Sequence, residues 1–241
     1  MDPDPSEEQL TIMDVHILNR IDPIRKQADR GLEGESGLSP MDPPDAYAPP
    51  SLEPVSAEEM HPFLRGLRDG HVPLIEELNA VEEAIASIQK SGFTRESDAA
   101  LRRFFHYFEQ EFPRRSRFEE AMLYPLLHER LIADGEHSRG ADPTTAMDMM
   151  KDAHAEATQL AAVVVNFLGL AFRLPDEKSR LIVLDAALEQ CKNLVELLRL
   201  MVFRKDNVLY SLAHRLISSA EFEQMQARAE RVTVGTPHAH D

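Results

Sequence analysis

Apolar residues recur every three or four positions through most of residues 56–217, which is the spacing of amphipathic helices. Short polar segments divide this pattern into four long stretches. The predicted helices are residues 56–91, 97–126, 144–172 and 175–212. Four helices with short connections pack as antiparallel neighbours. We therefore predict an all-α fold, an up-down-up-down antiparallel four-helix bundle over residues 56–217.

Helix start signals set several of these boundaries. Ser56 and Glu59 match a capping box, in which two side chains bind backbone N–H groups that have no partner within the helix. Asp142-Pro143 is typical of a helix start, because aspartate caps the helix and proline needs no N–H in its first turn, and Pro175-Asp176 is expected to open the fourth helix. Within the first helix, Pro73 predicts a kink or a restart.

The regions outside the bundle differ in character. Residues 1–31 contain apolar residues at helical spacing and form a predicted N-terminal helical extension. Residues 32–55 contain six prolines and two glycines, which exclude a continuous helix and predict a linker. Residues 218–241 are predicted to hold a short C-terminal helix and a disordered tail.

Charge restricts the possible partners. The chain has 42 acidic and 26 basic residues, a net charge of −16. Such a charge repels phosphate backbones and anionic membrane surfaces, so we expect neither nucleic-acid nor membrane binding. The most apolar stretch, residues 160–172, is too short to span a bilayer. Cys191 is the single cysteine and the N-terminal residues lack a secretory pattern, so a cytoplasmic location is expected.

The chain contains an internal repeat. Residues 118–128 recur as residues 204–214 at an offset of 86, and residues 67–71 recur as residues 150–154 at an offset of 83. Fixed offsets between similar motifs indicate repeated structural units. The predicted bundle is thus two copies of one helix pair.

This repeat resembles the hemerythrin-like (HHE cation-binding) family. Its members carry a Leu-x-x-Asp/Glu-His helix followed by a His-x-x-x-Glu-Glu-x-x-Leu-Phe/Tyr-Pro helix, twice over. The resemblance covers roughly residues 60–217 and is carried by Glu119–Pro125, Gly70-His71 and Ala153-His154. For working members it implies a non-haem di-iron centre, held by five histidines and two bridging carboxylates, that binds dioxygen or nitric oxide or handles iron.

Carried over residue by residue, the resemblance implies an incomplete set of metal ligands. The matching positions are His71, Glu119, His154 and Asp206. The family's other three histidine positions are occupied by Arg115, Met150 and Met201. Two histidines and two carboxylates cannot complete two octahedral iron sites, so a di-iron centre is not expected. The expected cofactor is none, or a single non-haem metal ion, with iron first.

One interpretation needs no metal. Arg115 lies one helical turn before Glu119 and can neutralise its carboxylate, while Met150 and Met201 fill the space of imidazoles and iron. Lys205 is a further candidate partner for the carboxylates. The chain then serves as a non-enzymatic binding, sensing or structural module, with an unknown protein partner or self-association.

Two alternatives remain. The four matching residues can hold iron or a similar cation for oxygen or nitric oxide sensing, iron handling or stress repair. A di-iron-type oxidase or repair enzyme ranks third. The sequence has no glycine-rich phosphate loop and no nucleophile elbow, so we expect no enzyme activity.

Overall fold

The computed structural model describes residues 54–138 and 142–234, and all regular secondary structure in these residues is helical. The elements are α1 (Pro62–Asp69), α2 (His71–Ser91), α3 (Arg95–Met122), α4 (Tyr124–Asp134), α5 (Ala146–Ala171), α6 (Glu177–Arg204), a π-helical turn (Lys205–Leu209), α7 (Tyr210–Leu216) and α8 (Ser219–Val234). The predicted extension and nearly all of the predicted linker lie outside the described residues. None of the described helices is long and apolar enough to cross a membrane.

The first helix begins later than predicted, and its restart comes earlier. The Ser56 hydroxyl accepts from the Glu59 N–H at 3.3 Å, as in a capping box, but it also donates to the Glu59 carboxylate at 2.9 Å, and these bonds close a turn rather than start a regular helix. Helix α1 begins at Pro62, with His61 as its N-cap, because proline lacks only an N–H that would be unpaired at that position. The predicted restart is found at Gly70, three residues before Pro73.

Helix α5 also begins later than predicted, whereas α6 begins as expected. Thr145 and Asp148 form a capping box at the start of α5, so Asp142-Pro143 is not the helix start. Thr145 fits this role because its hydroxyl accepts from the Met147 N–H while its own N–H is bound by Asp148. Asp176 caps α6 through the Ser179 N–H, as predicted.

The long helices share one apolar core. Helix α2 packs against α3 and α6, α5 packs most extensively against α6, and α4 contacts α5 and α7. Large side chains such as Phe104, Leu127 and Leu198 are fully buried between them. Phe222 of α8 is equally buried, so the C-terminal helix contributes to the same core.

The π-helical turn interrupts the last long helical segment, between α6 and α7. π-Helical turns are rare, and many lie at functional sites, because the wider turn changes which side chains face the interior. Here Lys205 is buried, and the neighbouring Asp206 also makes an interior contact. Lys205 and Asp206 both belong to the candidate site.

Candidate functional site

A buried carboxylate lies at the centre of the site. Glu119 belongs to the inward-facing stripe of α3, following Phe112 and Ser116 at intervals of four and three residues, and is 1% exposed. Its Oε2 atom lies 2.5 Å from the Lys205 ammonium nitrogen. Two tyrosines complete its surroundings. Tyr124 donates to Oε2 at 2.9 Å, and Tyr210 donates to Oε1 at 3.3 Å. These contacts supply the hydrogen bonds and charge that a buried carboxylate requires.

The ionisation of this cluster follows from its contacts. Burial alone would raise the pKa of the Glu119 carboxyl, but the Lys205 ammonium, by its charge and its hydrogen bond, holds that pKa below its ordinary value. Burial, followed by the nearby Glu119 charge, raises the pKa of both the Tyr124 and Tyr210 hydroxyls. The tyrosines therefore stay protonated and donate to an ionised carboxylate.

His154, on α5, links the central pair to the rim of the site. Its Nε2 atom lies 3.1 Å from Lys205 Nζ, and its Nδ1 atom lies 2.6 Å from Oε1 of Glu120. An ammonium group has no lone pair, so Nε2 must accept and Nδ1 must carry the proton that is donated to Glu120. Burial and then the Lys205 charge lower the pKa of His154, against the raising effect of Glu120. The imidazole is thus neutral, with a defined tautomer.

His71, at the start of α2, makes an equivalent pair with a carboxylate. Its Nδ1 atom lies 2.7 Å from Oδ1 of Asp206. The His71 ring stacks on Tyr210 at a centroid distance of 5.9 Å, and the His154 ring stacks on Tyr124 at 6.0 Å. His71 and His154 differ by the repeat offset of 83, and the tyrosines differ by 86. Each half of the helical domain therefore provides a histidine to a carboxylate of the other half.

Arg115 does not have the expected role. Its guanidinium donates to the backbone carbonyls of Gly70 at 2.6 Å and Leu67 at 2.9 Å. It therefore caps the C-terminal end of α1, where the last carbonyls of a helix need donors. The prediction that Arg115 neutralises Glu119 is wrong, because these carbonyls hold the guanidinium and Lys205 supplies the charge.

A glycine makes room for this arginine. A Cβ atom on Gly70 would lie 2.1 Å from Nη1 of Arg115. The resemblance calls for aspartate or glutamate at position 70, and such a side chain is incompatible with the observed guanidinium. Arg115 can thus adopt this position only because residue 70 is a glycine.

The two methionines lie in the interior, as expected of apolar replacements. Met150 and Met201 are both buried in the core. A cavity of about 30 Å³ remains beside Met201, lined also by His71, Glu119 and Lys205. This volume exceeds the roughly 10–15 Å³ that one water molecule needs.

The structure brings the predicted ligands to one region but pairs them differently. His71 and Asp206 bind each other, whereas Glu119 and His154 both contact Lys205. Within residues 54–138 and 142–234, no group of three or more His, Cys, Asp or Glu side chains is arranged to hold a metal ion.

Three contributors were missed by the sequence reasoning, namely Glu120, Tyr124 and Tyr210. The repeat contained the signal for all three. It matches Tyr124 with Tyr210 and Glu120 with Asp206 at the offset of 86.

The fold and site define an all-helical domain with a buried carboxylate, histidine and lysine cluster at its centre. The family model for the hemerythrin HHE cation binding domain matches residues 63–213, more than half of the chain. The chain therefore belongs to the hemerythrin HHE cation-binding family, which confirms the resemblance seen in the sequence. Comparisons with curated proteins and with solved structures give no match.

The donor set does not fit the di-iron centre that the family implies. Only two histidines occupy family ligand positions, and Nε2 of His154 and the carboxylate of Glu119 both contact the Lys205 ammonium. Two irons require about a dozen coordination positions, most of them filled by protein atoms in such sites. An ammonium group is already present among the few donors available.

Proposed function

We propose that this chain is a non-enzymatic member of the hemerythrin HHE family, acting as a binding, sensing or structural module without di-iron chemistry. The observation that carries this proposal is the buried ion pair between Lys205 and Glu119, at 2.5 Å. Lys205 is 6% exposed, so its charge is held in the interior where the family places metal. The site is electrostatically complete with the chain's own groups.

We also infer the up-down-up-down arrangement for this domain. Its four long segments are α2, α3 with α4, α5, and α6 with α7. The packing of α2 on α3, α5 on α6 and α2 on α6 supports it, since consecutive helices joined by short loops pack as antiparallel neighbours.

A protein partner or self-association is part of this proposal. Several large apolar side chains are exposed on α6, including Leu181 at 59% and Ile182 at 63%. Exposed apolar patches are common at interaction surfaces. The net charge of −16 argues against nucleic acid and anionic membranes as partners. A cytoplasmic location remains our proposal, and a single cysteine fits a reducing compartment.

Cation binding by the unmodified chain is the second candidate function. His71, Glu119, His154 and Asp206 come from different helical segments and meet in one region, which favours this function. A metal ion would have to displace the Lys205 ammonium from Glu119 and His154. Oxygen or nitric oxide sensing, iron handling and stress repair would then follow the family.

Elemental analysis decides between the two candidates. Protein expressed in iron- and manganese-supplemented medium is purified without chelators, analysed for metals, and examined by absorption spectroscopy. We expect substoichiometric metal and no charge-transfer bands. Two irons per chain with oxo-bridge absorption would overturn the proposed function, and one metal per chain that is lost in His71→Ala would establish the second candidate.

A further inference from the structure

We propose that two copies of this chain form a symmetric homodimer, in which α5 of each copy lies in a groove between α3 and α5 of the other. We call the surface formed by residues 157–172 and the facing side of α3 the α5 face. The inference rests on the proposed function and deepens it, because it names the partner as a second copy and locates the contact surface.

The second half of α5 is uncharged. Residues 157–172 contain no Asp, Glu, Lys or Arg. Several of their apolar side chains nevertheless face outward, and Val165 and Phe172 are 51% and 55% exposed. A helix that is apolar on all sides is normally covered on all sides. Packing against α6 covers only part of this one, so the outward part is a candidate contact surface.

A groove of about 850 Å³ runs beside the same residues, between α3 and α5. Its walls are mainly apolar, with Leu101 and Phe105 on α3 and Leu168 on α5. Gly169 also lines the groove, and a Cβ atom on it would meet nothing within 4 Å. The groove is therefore open along α5 and can receive another helix.

The edge of the groove on α3 is polar. Asp98 and Arg102 form an ion pair there at 2.7 Å, and the exposed Glu109 lies further along the same edge. The pair leaves neither of its two charges uncompensated. An apolar centre with a polar border is the usual composition of a protein–protein interface.

Charge and shape favour a second copy as the partner. Each copy carries a net charge of −16, so two copies repel each other unless they meet where charge is absent, and α5 provides that place. The projecting helix and the open groove lie side by side on one copy. A two-fold axis perpendicular to α5 therefore brings each helix into the groove of the other copy, in antiparallel contact.

The size of the α5 face sets the expected affinity. Sixteen residues of helix extend about 24 Å, and two neighbouring helices are about 20 Å wide, which gives roughly 500 Å² on each copy. The total just reaches the roughly 1,000 Å² that a specific interface requires. We therefore expect a weak, reversible dimer.

Sedimentation equilibrium of the full chain, from micromolar to millimolar concentration, tests the dimer. We expect a species of twice the chain mass of 27.2 kDa. Added salt should tighten it, because salt screens the repulsion between two acidic copies. Val165→Asp should weaken it at least about 100-fold, since the two-fold axis buries two carboxylates at an apolar contact.

Val72→Asp is the matched control. Val72 is 55% exposed on α2 and does not line the groove, so this variant should dimerise like the unmodified protein. Both valines are exposed, and the helical circular dichroism of both variants should stay unchanged.

A disulfide tests the geometry. Val165 lies near the middle of the uncharged residues, so the two-fold axis places it beside its own copy in the partner. Val165→Cys should form an intermolecular disulfide in a glutathione buffer, and Val72→Cys should not. The native Cys191 does not interfere, because burial raises the pKa of its thiol to about 12.

The outcomes separate this inference from the proposed function. A chain that stays monomeric at all concentrations overturns the inference, whichever segment or other protein then covers the α5 face. A dimer that Val165→Asp leaves intact, or that Val72→Asp weakens equally, also overturns it. Metal analysis of the same sample is independent of these results. A metal-free monomer overturns only the inference, and a dimer with two irons per chain overturns only the proposed function.

Discussion

The two halves of the helical domain supply matching groups to one site, with a single reversal of charge. The first half, α2 to α4, provides His71, Glu120 and Tyr124, and the second half, α5 to α7, provides His154, Asp206 and Tyr210. At the offset of 86, however, Glu119 in the first half is matched by Lys205 in the second. A carboxylate at both positions would leave two buried negative charges that need a cation. Because position 205 is a lysine, its positive charge cancels the charge of Glu119 and no additional cation is needed.

The halves also differ in how firmly their histidines are held. Glu120, the partner of His154, has a side chain 33% exposed, whereas Asp206, the partner of His71, is 16% exposed. His154 compensates with a second polar partner, the Lys205 ammonium. Lys205 thus also holds the ring of His154, whose carboxylate partner Glu120 is the more exposed of the two.

The largest effect is expected from removing the lysine charge. Lys205→Met keeps most of the side-chain volume but leaves Glu119 buried without its cation, which should cost about 3–5 kcal/mol of unfolding free energy. Urea unfolding at pH 7 followed by circular dichroism measures this loss. Glu119→Gln in the same protein should restore a large part of it, because no charge then stays buried.

A surface pair is the matched control. Lys192 pairs with Glu189 at 2.7 Å on an exposed face, so Lys192→Met should cost less than about 1 kcal/mol. Equal losses of unfolding free energy for Lys205→Met and Lys192→Met would show that the buried ion pair contributes no more to stability than the surface pair. That result would also contradict the interpretation that Lys205 neutralises Glu119 in the site.

The two tyrosines compare the halves directly. Tyr124→Phe removes a 2.9 Å hydrogen bond to Glu119, and Tyr210→Phe removes a 3.3 Å one. A hydrogen bond to a charged group contributes about 1.5–3 kcal/mol, and we expect Tyr124→Phe near the upper end and Tyr210→Phe near the lower end. Urea unfolding of both single variants tests the order. The reverse order would mean that the second half, and not the first, holds the carboxylate.

Helical periodicity was sufficient to predict the fold class and the approximate positions of the long helices. Periodicity could not predict the hydrogen-bond partners of Arg115. It gives the face of the helix on which a residue lies, but not which nearby acceptor a long side chain reaches. Two backbone carbonyls at the end of α1 compete with Glu119 for the guanidinium, and those carbonyls became available only because α1 ends at Gly70.

The same limit applies to the fourth segment. An unbroken α-helix was assumed through Asp206, whereas the π-helical turn shifts the facing of Lys205 and its successor. The sequence offered two possible carboxylate partners for Lys205, and in the structure Lys205 pairs with Glu119. At the repeat offset of 86, Glu119 and Lys205 occupy equivalent positions.

A smaller effect is expected from filling the space at Gly70. In Gly70→Ala the new Cβ displaces the Arg115 guanidinium, which is flexible, so the cost is the loss of its two carbonyl hydrogen bonds, about 1–2 kcal/mol. Gly66→Ala in the same helix meets nothing within 4 Å and should be neutral or stabilise by up to about 1 kcal/mol. In an Arg115→Ala background, Gly70→Ala should lose its effect. An unchanged cost there would mean that Arg115 is not what the new methyl group displaces.

The smallest effect is a pH dependence that comes from His154. Its neighbours are Lys205, Glu119, Glu120 and Tyr124, and its pKa in the fold lies below the ordinary 6.5, by burial and then by the Lys205 charge. As pH falls below about 6.5 the unfolded chain takes up a proton that the folded chain refuses, so the unfolding free energy falls, at no more than about 1.4 kcal/mol per pH unit for this one group.

Well above pH 6.5 His154 is neutral in both states and contributes no slope, and the slope develops as the pH falls through the unfolded-state value. Urea midpoints at half-unit steps from pH 7.5 to 5.5 should therefore fall less steeply in His154→Gln, which cannot titrate. The window stays above the ordinary pKa of 4.5 of Glu119, whose lowered pKa adds a loss of stability only at more acid pH. Parallel curves for both proteins would show that burial and the Lys205 charge do not hold His154 neutral, and the tautomer assigned to that ring would have to be abandoned.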